Sequence, residues 1–181
     1  MFVEMLLSNG AHINHKSNDG NSCIIEASRR GNYNVVELLL SKGANINDKD
    51  NSGSSSIIKA SMSGHVNVVE LLLSKGADIN DKNNDGWSSI LWASTIGNMH
   101  VVALLLSKGA DINEIADDGS TAISISDSDK ITYMLQKWPI TMAILIFKEL
   151  SIYYQTDAST LIDLYQYLGI QGESGIFHLN L

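Results

Sequence analysis

Apolar residues are crowded into one stretch that recurs along the chain at a fixed interval. It reads VVELLLSKGANINDK at residues 35–49 and VVELLLSKGADINDK at residues 68–82, so the two copies differ at a single position. Shorter copies, VEMLLSNGAHIN and VVALLLSKGADIN, occupy residues 3–14 and 101–113. A constant period of about 33 residues is typical of a stack of repeated supersecondary units.

The recurring stretch predicts a helix that is buried on both sides. Between residues 35 and 42, only Glu37 and the final Ser-Lys are polar. One neighbouring helix cannot cover so many apolar positions, so the helix must pack against the repeats before and after it. A glycine ends each of these helices, and an extended segment then leads to the next turn. These glycines are Gly43, Gly76 and Gly109.

A second, shorter helix is predicted ahead of the recurring stretch. Each repeat opens on a glycine turn (NDGN, NSGS, NDGW), followed by a serine whose oxygen is expected to accept a bond from a free helix N–H. Apolar residues then follow at the spacing of one helix face and stop at another glycine, which can adopt the left-handed conformation. The serines are Ser22, Ser55 and Ser88, and the terminating glycines are Gly31, Gly64 and Gly97.

The period, the Gly-Ala-Asp-Ile-Asn sequence and the Gly64-His65 pair resemble the ankyrin repeat. The resemblance covers roughly residues 1–135 and implies an all-α fold, an ankyrin-type α-solenoid of helix-turn-helix-loop repeats. The family's Thr-Pro-Leu-His pattern appears here as Ser22-Cys23-Ile24-Ile25 and its equivalents. Apolar packing should therefore replace a polar network without changing the fold.

The predicted organisation has three complete repeats with irregular ends. A partial ankyrin repeat at 1–17 precedes repeat one (18–50), repeat two (51–83) and repeat three (84–116), and a truncated repeat four (117–137) and a non-repeat helical C-terminal cap or docking segment (138–181) follow. The chain starts in a second helix, so it is either a fragment of a longer array, which we favour, or capped by a half-repeat. In the C-terminal segment, residues 140–154 and 158–168 are expected to form two antiparallel helices.

Charge and composition narrow the partner class. The 181-residue chain has a formal net charge of −8, which argues against nucleic acid or an anionic membrane surface as the partner. Its longest apolar run, of about ten residues, is too short for membrane insertion. The single cysteine and the absence of a signal-peptide pattern indicate a cytoplasmic protein, with the nucleus as an open alternative.

No pattern of catalytic residues rises above background. Cys23 lies in a first helical turn, but the equivalent positions hold serine, and His12 and His15 lack further metal ligands nearby. Four acidic residues are expected to share one loop tip as a solvated edge, namely Asp111, Glu114, Asp117 and Asp118. The interpretation is that the chain is not an enzyme and uses no cofactor or metal.

Candidate binding positions are those that differ between repeats, because invariant positions are dictated by the core. In the ankyrin family, loop tips and the inner face of the first helix form a concave surface that binds other proteins. The resemblance therefore implies partner-binding roles for Asn21, Arg29, Arg30, Ser54, Lys59, Met62, Asp85, Trp87, Trp92, Thr95 and Ile96. Exposed Trp87, Trp92 and Ile96 are the expected hot spot. The competing interpretation is that Trp92 covers the shortened repeat four.

The predicted function is non-catalytic binding of a partner protein, of unknown identity, on the concave face. Two alternatives remain open at this point. The C-terminal segment could be the docking element of an adaptor, or the chain could be the targeting or regulatory portion of a larger multidomain enzyme.

Overall fold

A computed structural model describes residues 4, 5, 8–126 and 128–138 of the chain. The chain divides into two compact parts, Met1–Leu135 and Gln136–Leu181, and the repeats lie in the first. The helices predicted for residues 140–154 and 158–168 lie outside the described residues.

Three helix pairs follow one another at the predicted spacing. They are α1 (Cys23–Arg29) with α2 (Tyr33–Ser41), α3 (Ser56–Met62) with α4 (Val66–Ser74), and α5 (Ser89–Ile96) with α6 (Met99–Ser107). Each first helix packs on its own second helix, and α1 and α3 also pack on the first helix of the next repeat. The helix-turn-helix-loop prediction is therefore confirmed, as is the all-α solenoid fold.

The serines before the first helices occupy the N-cap position, but they do not cap. Ser22, Ser55 and Ser88 have the extended backbone expected there, yet none of their side chains bonds to a helix N–H. Each serine also pairs through an isolated antiparallel bridge, as in Lys16 with Ser22. In each case the side chain is buried, and its hydroxyl has no well-formed hydrogen bond among the described residues. The predicted capping bond is wrong.

The glycine after each first helix is required by its backbone conformation. Gly31, Gly64 and Gly97 have positive φ angles of 70°, 75° and 83°, which confirms the predicted left-handed ends. At Gly31, a Cβ atom would also lie 2.5 Å from Nδ1 of His65 in the next repeat. His65 uses this close approach to place its Nε2 at 3.1 Å from the carbonyl oxygen of Arg29.

The core is built from buried residues of both the first and the second helices. The positions where the family has histidine hold Ile25, Ile58 and Leu91, and all three are fully buried. Leu39, Leu72 and Leu105 are their counterparts in the second helices and are buried as well. Apolar packing thus takes the place of the polar network, as predicted.

Loop tips of successive repeats are joined by hydrogen bonds between residues 33 positions apart. Lys16 Nζ donates to the carbonyl oxygen of Lys49 at 2.9 Å, and Lys49 Nζ donates to that of Lys82 at 2.8 Å. Lys49 also forms an ion pair with Asp81 at 2.6 Å. The next equivalent position is Ile115, which is 58% exposed, so this lysine ladder ends at repeat four.

Two connecting segments depart from the prediction. The loop after each second helix is not simply extended, because Asp48 N–H donates to the carbonyl oxygen of Asn45 and closes a turn. In repeat four, residues 122–125 form a turn in place of a first helix, and helical structure resumes at residues 129–138. The truncation predicted for repeat four falls at this point.

Candidate partner-binding surface

Two positions distinguish the repeats from one another on the surface formed by the turns and first helices. One follows the turn glycine and holds Asn21, Ser54 or Trp87; the other lies within the first helix and holds Glu26, Lys59 or Trp92. The same backbone therefore carries three different side-chain arrangements.

In repeat one, the first-helix position holds Glu26, which forms an ion-pair network with two arginines. Glu26 accepts from the Arg29 guanidinium at 2.8 Å and from Arg30 Nε at 2.5 Å. The Arg29 and Arg30 hydrogen bonds lower the pKa of Glu26 to about 2, despite the opposing effect of burial. Both arginines remain exposed, and Glu26 neutralises part of their positive charge. Asn21 is half-buried.

In repeat two, the first-helix position holds Lys59, which forms a partly buried ion pair. Lys59 Nζ lies 2.7 Å from Asp50 Oδ2, and their side chains are 19% and 7% exposed. Burial raises the pKa of Asp50, but hydrogen bonds from Lys59, Ser52 and the Ser54 backbone outweigh burial and lower it. Lys59 is therefore not a free surface cation.

Ser54 does not lie on the surface where the sequence predicts it. It is 2% exposed, because its backbone N–H donates to Asp50 Oδ1 at 2.9 Å and draws the residue into the turn. The expectation that Ser54 is exposed is therefore wrong. Met62, at the end of α3, is half-buried.

In repeat three, both positions hold tryptophan, and the two indole rings contact each other. The ring centroids of Trp87 and Trp92 are 4.7 Å apart, and the ring planes are inclined at 44°. Asn83 Oδ1 accepts from the Trp87 backbone N–H at 2.8 Å and so holds Trp87 beside the helix. Both side chains are half-buried rather than fully exposed, since each covers the other. The Trp92 indole N–H is buried without an acceptor among the described residues.

A shallow, open cavity of about 460 Å³ lies beside the stacked indoles. It is lined by Trp87, Trp92, Asp85, Asp117 and Asp118, the last two from the turn of repeat four. The Asp117 backbone N–H donates to the Asp85 carbonyl oxygen at 3.2 Å, which brings the two turns together. Hydrogen bonds from Ser120, and more weakly the Trp87 indole, lower the pKa of Asp118. We call this place the indole–aspartate cavity.

The remaining predicted residues lie at the other end of α5. Ile96 is 53% exposed, whereas Thr95 is half-buried and its Oγ1 donates to the Leu91 carbonyl oxygen at 3.2 Å. Neither residue lines the indole–aspartate cavity.

Two family models match the chain. A model of ankyrin repeats in three copies matches residues 1–83, and a model of the single ankyrin repeat matches residues 85–117. This chain belongs to the ankyrin-repeat family. No curated protein matches it.

Ankyrin repeats are generally protein–protein interaction modules and are typically non-catalytic. Within the part that the structure describes, this ankyrin chain holds no group of three histidine, cysteine or acidic side chains placed for a metal ion. In the same part, no helix is both long enough and apolar enough to cross a membrane.

The acidic loop tip predicted in this ankyrin chain is divided in two by the structure. Glu114 is only 7% exposed, and desolvation raises the pKa of its carboxyl against the effects of Ser88 and Lys82. Lys82 Nζ is 3.9 Å from Glu114 Oε1, and Glu114 Oε2 has no well-formed hydrogen bond to any residue that the structure describes. Asp117 and Asp118 instead face the tryptophans.

Sequence reasoning found Asp85, Trp87 and Trp92 but did not include Asp117 and Asp118 in the site. The signal that could have added them is the repeat period itself. Turn residues contact their equivalents 33 residues away, as Asn51 does when its carbonyl oxygen accepts from Asn84 Nδ2. Residues 117 and 118 are therefore expected beside residues 84 and 85.

Proposed function

We propose that this ankyrin-repeat chain is a non-catalytic module that binds a partner protein on its concave face, with repeat three at the centre. One observation carries the proposal. The Trp87–Trp92 stack lines an open cavity at the position where repeats one and two place ion pairs.

The energetic argument starts from the cost of leaving indole surface in water. Trp87 and Trp92 shield each other, yet both remain partly accessible at the cavity wall. Burying the rest of this surface under a partner is favourable by about 25 cal/mol per Å² of apolar area. Tryptophans of this kind are enriched among the few residues that dominate binding energy at interfaces.

The other candidates flank this centre and extend the proposed contact surface. Arg29 and Arg30 offer exposed guanidinium groups at one end, and exposed Ile96 offers an apolar contact at the end of α5. Asn21, Met62 and Thr95 are half-buried and supply rim contacts, whereas Lys59 is held by Asp50.

The proposed partner is a protein rather than nucleic acid or lipid. The net charge of −8 opposes polyanions. In the part of the chain that the structure describes, seven lysine and arginine side chains lie within 4 Å of a carboxylate, in pairs with Asp48, Glu26, Asp81, Asp50, Glu114 and Glu70. A cytoplasmic or nuclear location fits the single Cys23, which is free and exposed.

The test is a comparative capture experiment from a lysate of the source cells. The full chain, a Trp87→Ala/Trp92→Ala variant and a Tyr33→Ala control are immobilised, and bound proteins are quantified by mass spectrometry. Tyr33 is 39% exposed and lies at the start of α2, away from the cavity. Proteins retained by the parent and the control should be lost from the double variant, while its helical circular dichroism stays unchanged.

The proposal fails if the double variant retains every protein that the parent retains. It also fails if the Tyr33→Ala control loses the same proteins, since the loss would then not be specific to repeat three.

A further inference from the structure

We propose that the indole–aspartate cavity receives an arginine side chain from a basic, extended segment of the partner protein. This inference rests on the function proposed above and specifies the chemistry of the partner at the same place. It follows from which groups line the cavity and which groups are missing from it.

An indole wall beside carboxylates is a site for an organic cation. The face of a tryptophan attracts a cation within about 6 Å of the ring, and arginine is the commonest partner. A guanidinium group can stack on the ring while its N–H groups donate to carboxylate oxygens in pairs. Trp87 and Trp92 supply the ring faces, and Asp85, Asp117 and Asp118 supply the acceptors.

The carboxylates at this cavity lack the internal cation that other carboxylates of the chain have. Asp48, Asp81 and Glu114 each have a lysine from the preceding loop tip within 4 Å. In the described part of the chain, no lysine or arginine forms an ion pair with Asp85, Asp117 or Asp118. The three neighbouring aspartates could therefore form ion pairs with a cation supplied by a partner molecule.

The equivalent place in repeat two contains the cation that repeat three lacks. Lys59 stands where repeat three has Trp92, and Ser52 and Asn84 stand where repeat three has Asp85 and Asp117. Between repeats two and three, the cation has been exchanged for an aromatic surface, and neutral side chains have been exchanged for carboxylates. Both exchanges favour a cationic ligand over a neutral one.

A metal ion does not fit the same groups. Among the described residues, no three acidic, histidine or cysteine side chains converge closely enough to coordinate an ion. The carboxylates are spread around an aromatic wall in an open cavity of about 460 Å³, which suits a planar guanidinium group.

A backbone carbonyl of the bound segment would supply one further interaction. The Trp92 indole N–H is buried without an acceptor among the described residues, and a buried donor left unpaired is destabilising. An acceptor brought by the ligand would remove that cost after a small displacement of the stacked rings.

The experiment uses the ¹⁵N-labelled full chain and three short Gly-Ser peptides that differ at one central residue pair. The two central residues are both arginine, both lysine or both citrulline. Citrulline keeps the shape of arginine without its charge. The readout is the chemical shift of each indole N–H, assigned by single Trp→Phe variants, with Trp138 as the internal control. The arginine peptide should shift the Trp87 and Trp92 signals to saturation, and citrulline should bind on the order of tenfold more weakly or worse.

Two charge variants separate recognition from general attraction to an acidic chain. Asp85→Ser/Asp117→Asn introduces the residues that repeat two uses at these positions, so the fold should be retained. Glu37→Gln/Glu70→Gln removes the same charge from exposed positions of the second helices. The first variant should weaken arginine-peptide binding by about tenfold, and the second should leave it within about twofold.

The inference is overturned if citrulline binds as well as arginine, if both charge variants weaken binding equally, or if neither indole signal moves. The proposed function has a separate readout. Partner capture that depends on Trp87 and Trp92, together with no response to the arginine peptide, would reject the arginine inference alone. If partner capture does not depend on the tryptophans and the arginine peptide also gives no response, both proposals are rejected.

Discussion

Repeats two and three have nearly the same backbone and core but opposite surfaces at one place. In repeat two, Lys59 and Asp50 close the surface with an ion pair whose atoms lie 2.7 Å apart. In repeat three, Trp87 and Trp92 stack beside an open cavity and leave three aspartates without cations from the described residues. The difference shows that a stack of repeats can change its chemistry at one repeat without altering its scaffold.

The scaffold is the part that the repeats share. Leu72 and Leu105 occupy equivalent positions in α4 and α6, and both are completely buried. Since the same residues pack in the same way in both repeats, they carry little information about the partner. The informative positions are those where a side chain is replaced and its neighbours change with it.

The largest effect should come from breaking the shared scaffold. Leu72→Ala and Leu105→Ala should each lower the free energy of unfolding by about 2–5 kcal/mol, because each leaves a cavity in a closed core. Urea unfolding followed by circular dichroism measures the loss, with exposed Glu37→Ala as the control. A much smaller loss in one repeat than in the other would show that the two scaffolds are not equivalent.

The next effect should come from opening the ion pair of repeat two. Lys59→Met should destabilise the chain by about 1–3 kcal/mol, because the Asp50 carboxylate stays largely buried without its cation. The pKa of Asp50 is lowered in the folded state, so its contribution is present above pH 3.8 and is lost as the pH falls through the folded-state value. The parent and the variant should therefore converge in acid.

Glu114 should behave in the opposite way. Its folded-state pKa is raised above 4.5, chiefly by desolvation, so the charged form destabilises the fold at neutral pH. Glu114→Gln should raise the melting temperature at pH 7, and the gain should disappear as the pH falls below 4.5. A lower melting temperature at neutral pH would mean that the Lys82 interaction outweighs desolvation.

The smallest effect is expected at repeat one, where the ion pairs are exposed. Glu26→Gln should cost under about 1 kcal/mol, and added salt should reduce the difference, since exposed pairs are screened. With a pKa of about 2, the contribution of Glu26 is present above pH 4.5 and is lost only near pH 2. A loss as large as that of Lys59→Met would contradict this prediction, because the exposed ion pairs of repeat one would then stabilise the fold as much as the Lys59–Asp50 pair does.

Periodicity predicted most of the fold but little of the site. The helices, the left-handed Gly31 and the aliphatic residues Ile25 and Ile58 follow from residue type and spacing, which a sequence displays directly. The serine caps did not follow. Ser22 has the extended backbone of an N-cap, but residue type and spacing do not determine its side-chain orientation, and it forms no capping bond.

The site depends on contacts between repeats and between rings. The sequence marked Trp87 and Trp92 as unusual, but their stacking depends on side-chain orientation, and the placement of Asp117 depends on how adjacent turns meet. Ser54 was misplaced for a similar reason. Its position resembles that of Trp87 in sequence, yet Asp50 draws it into the turn.

The central claim is that repeat three differs from repeat two because it binds a partner. The most direct test gives repeat three the side chains of repeat two, in the variant Asn83→Asp/Trp87→Ser/Trp92→Lys. Partner capture by the full-length variant, quantified against the parent, is the decisive measurement. We predict that capture falls at least tenfold while the melting temperature stays within a few degrees, because repeat two shows that this arrangement folds. Undiminished capture, or a large fall in melting temperature in place of lost capture, would show that the tryptophans serve the scaffold.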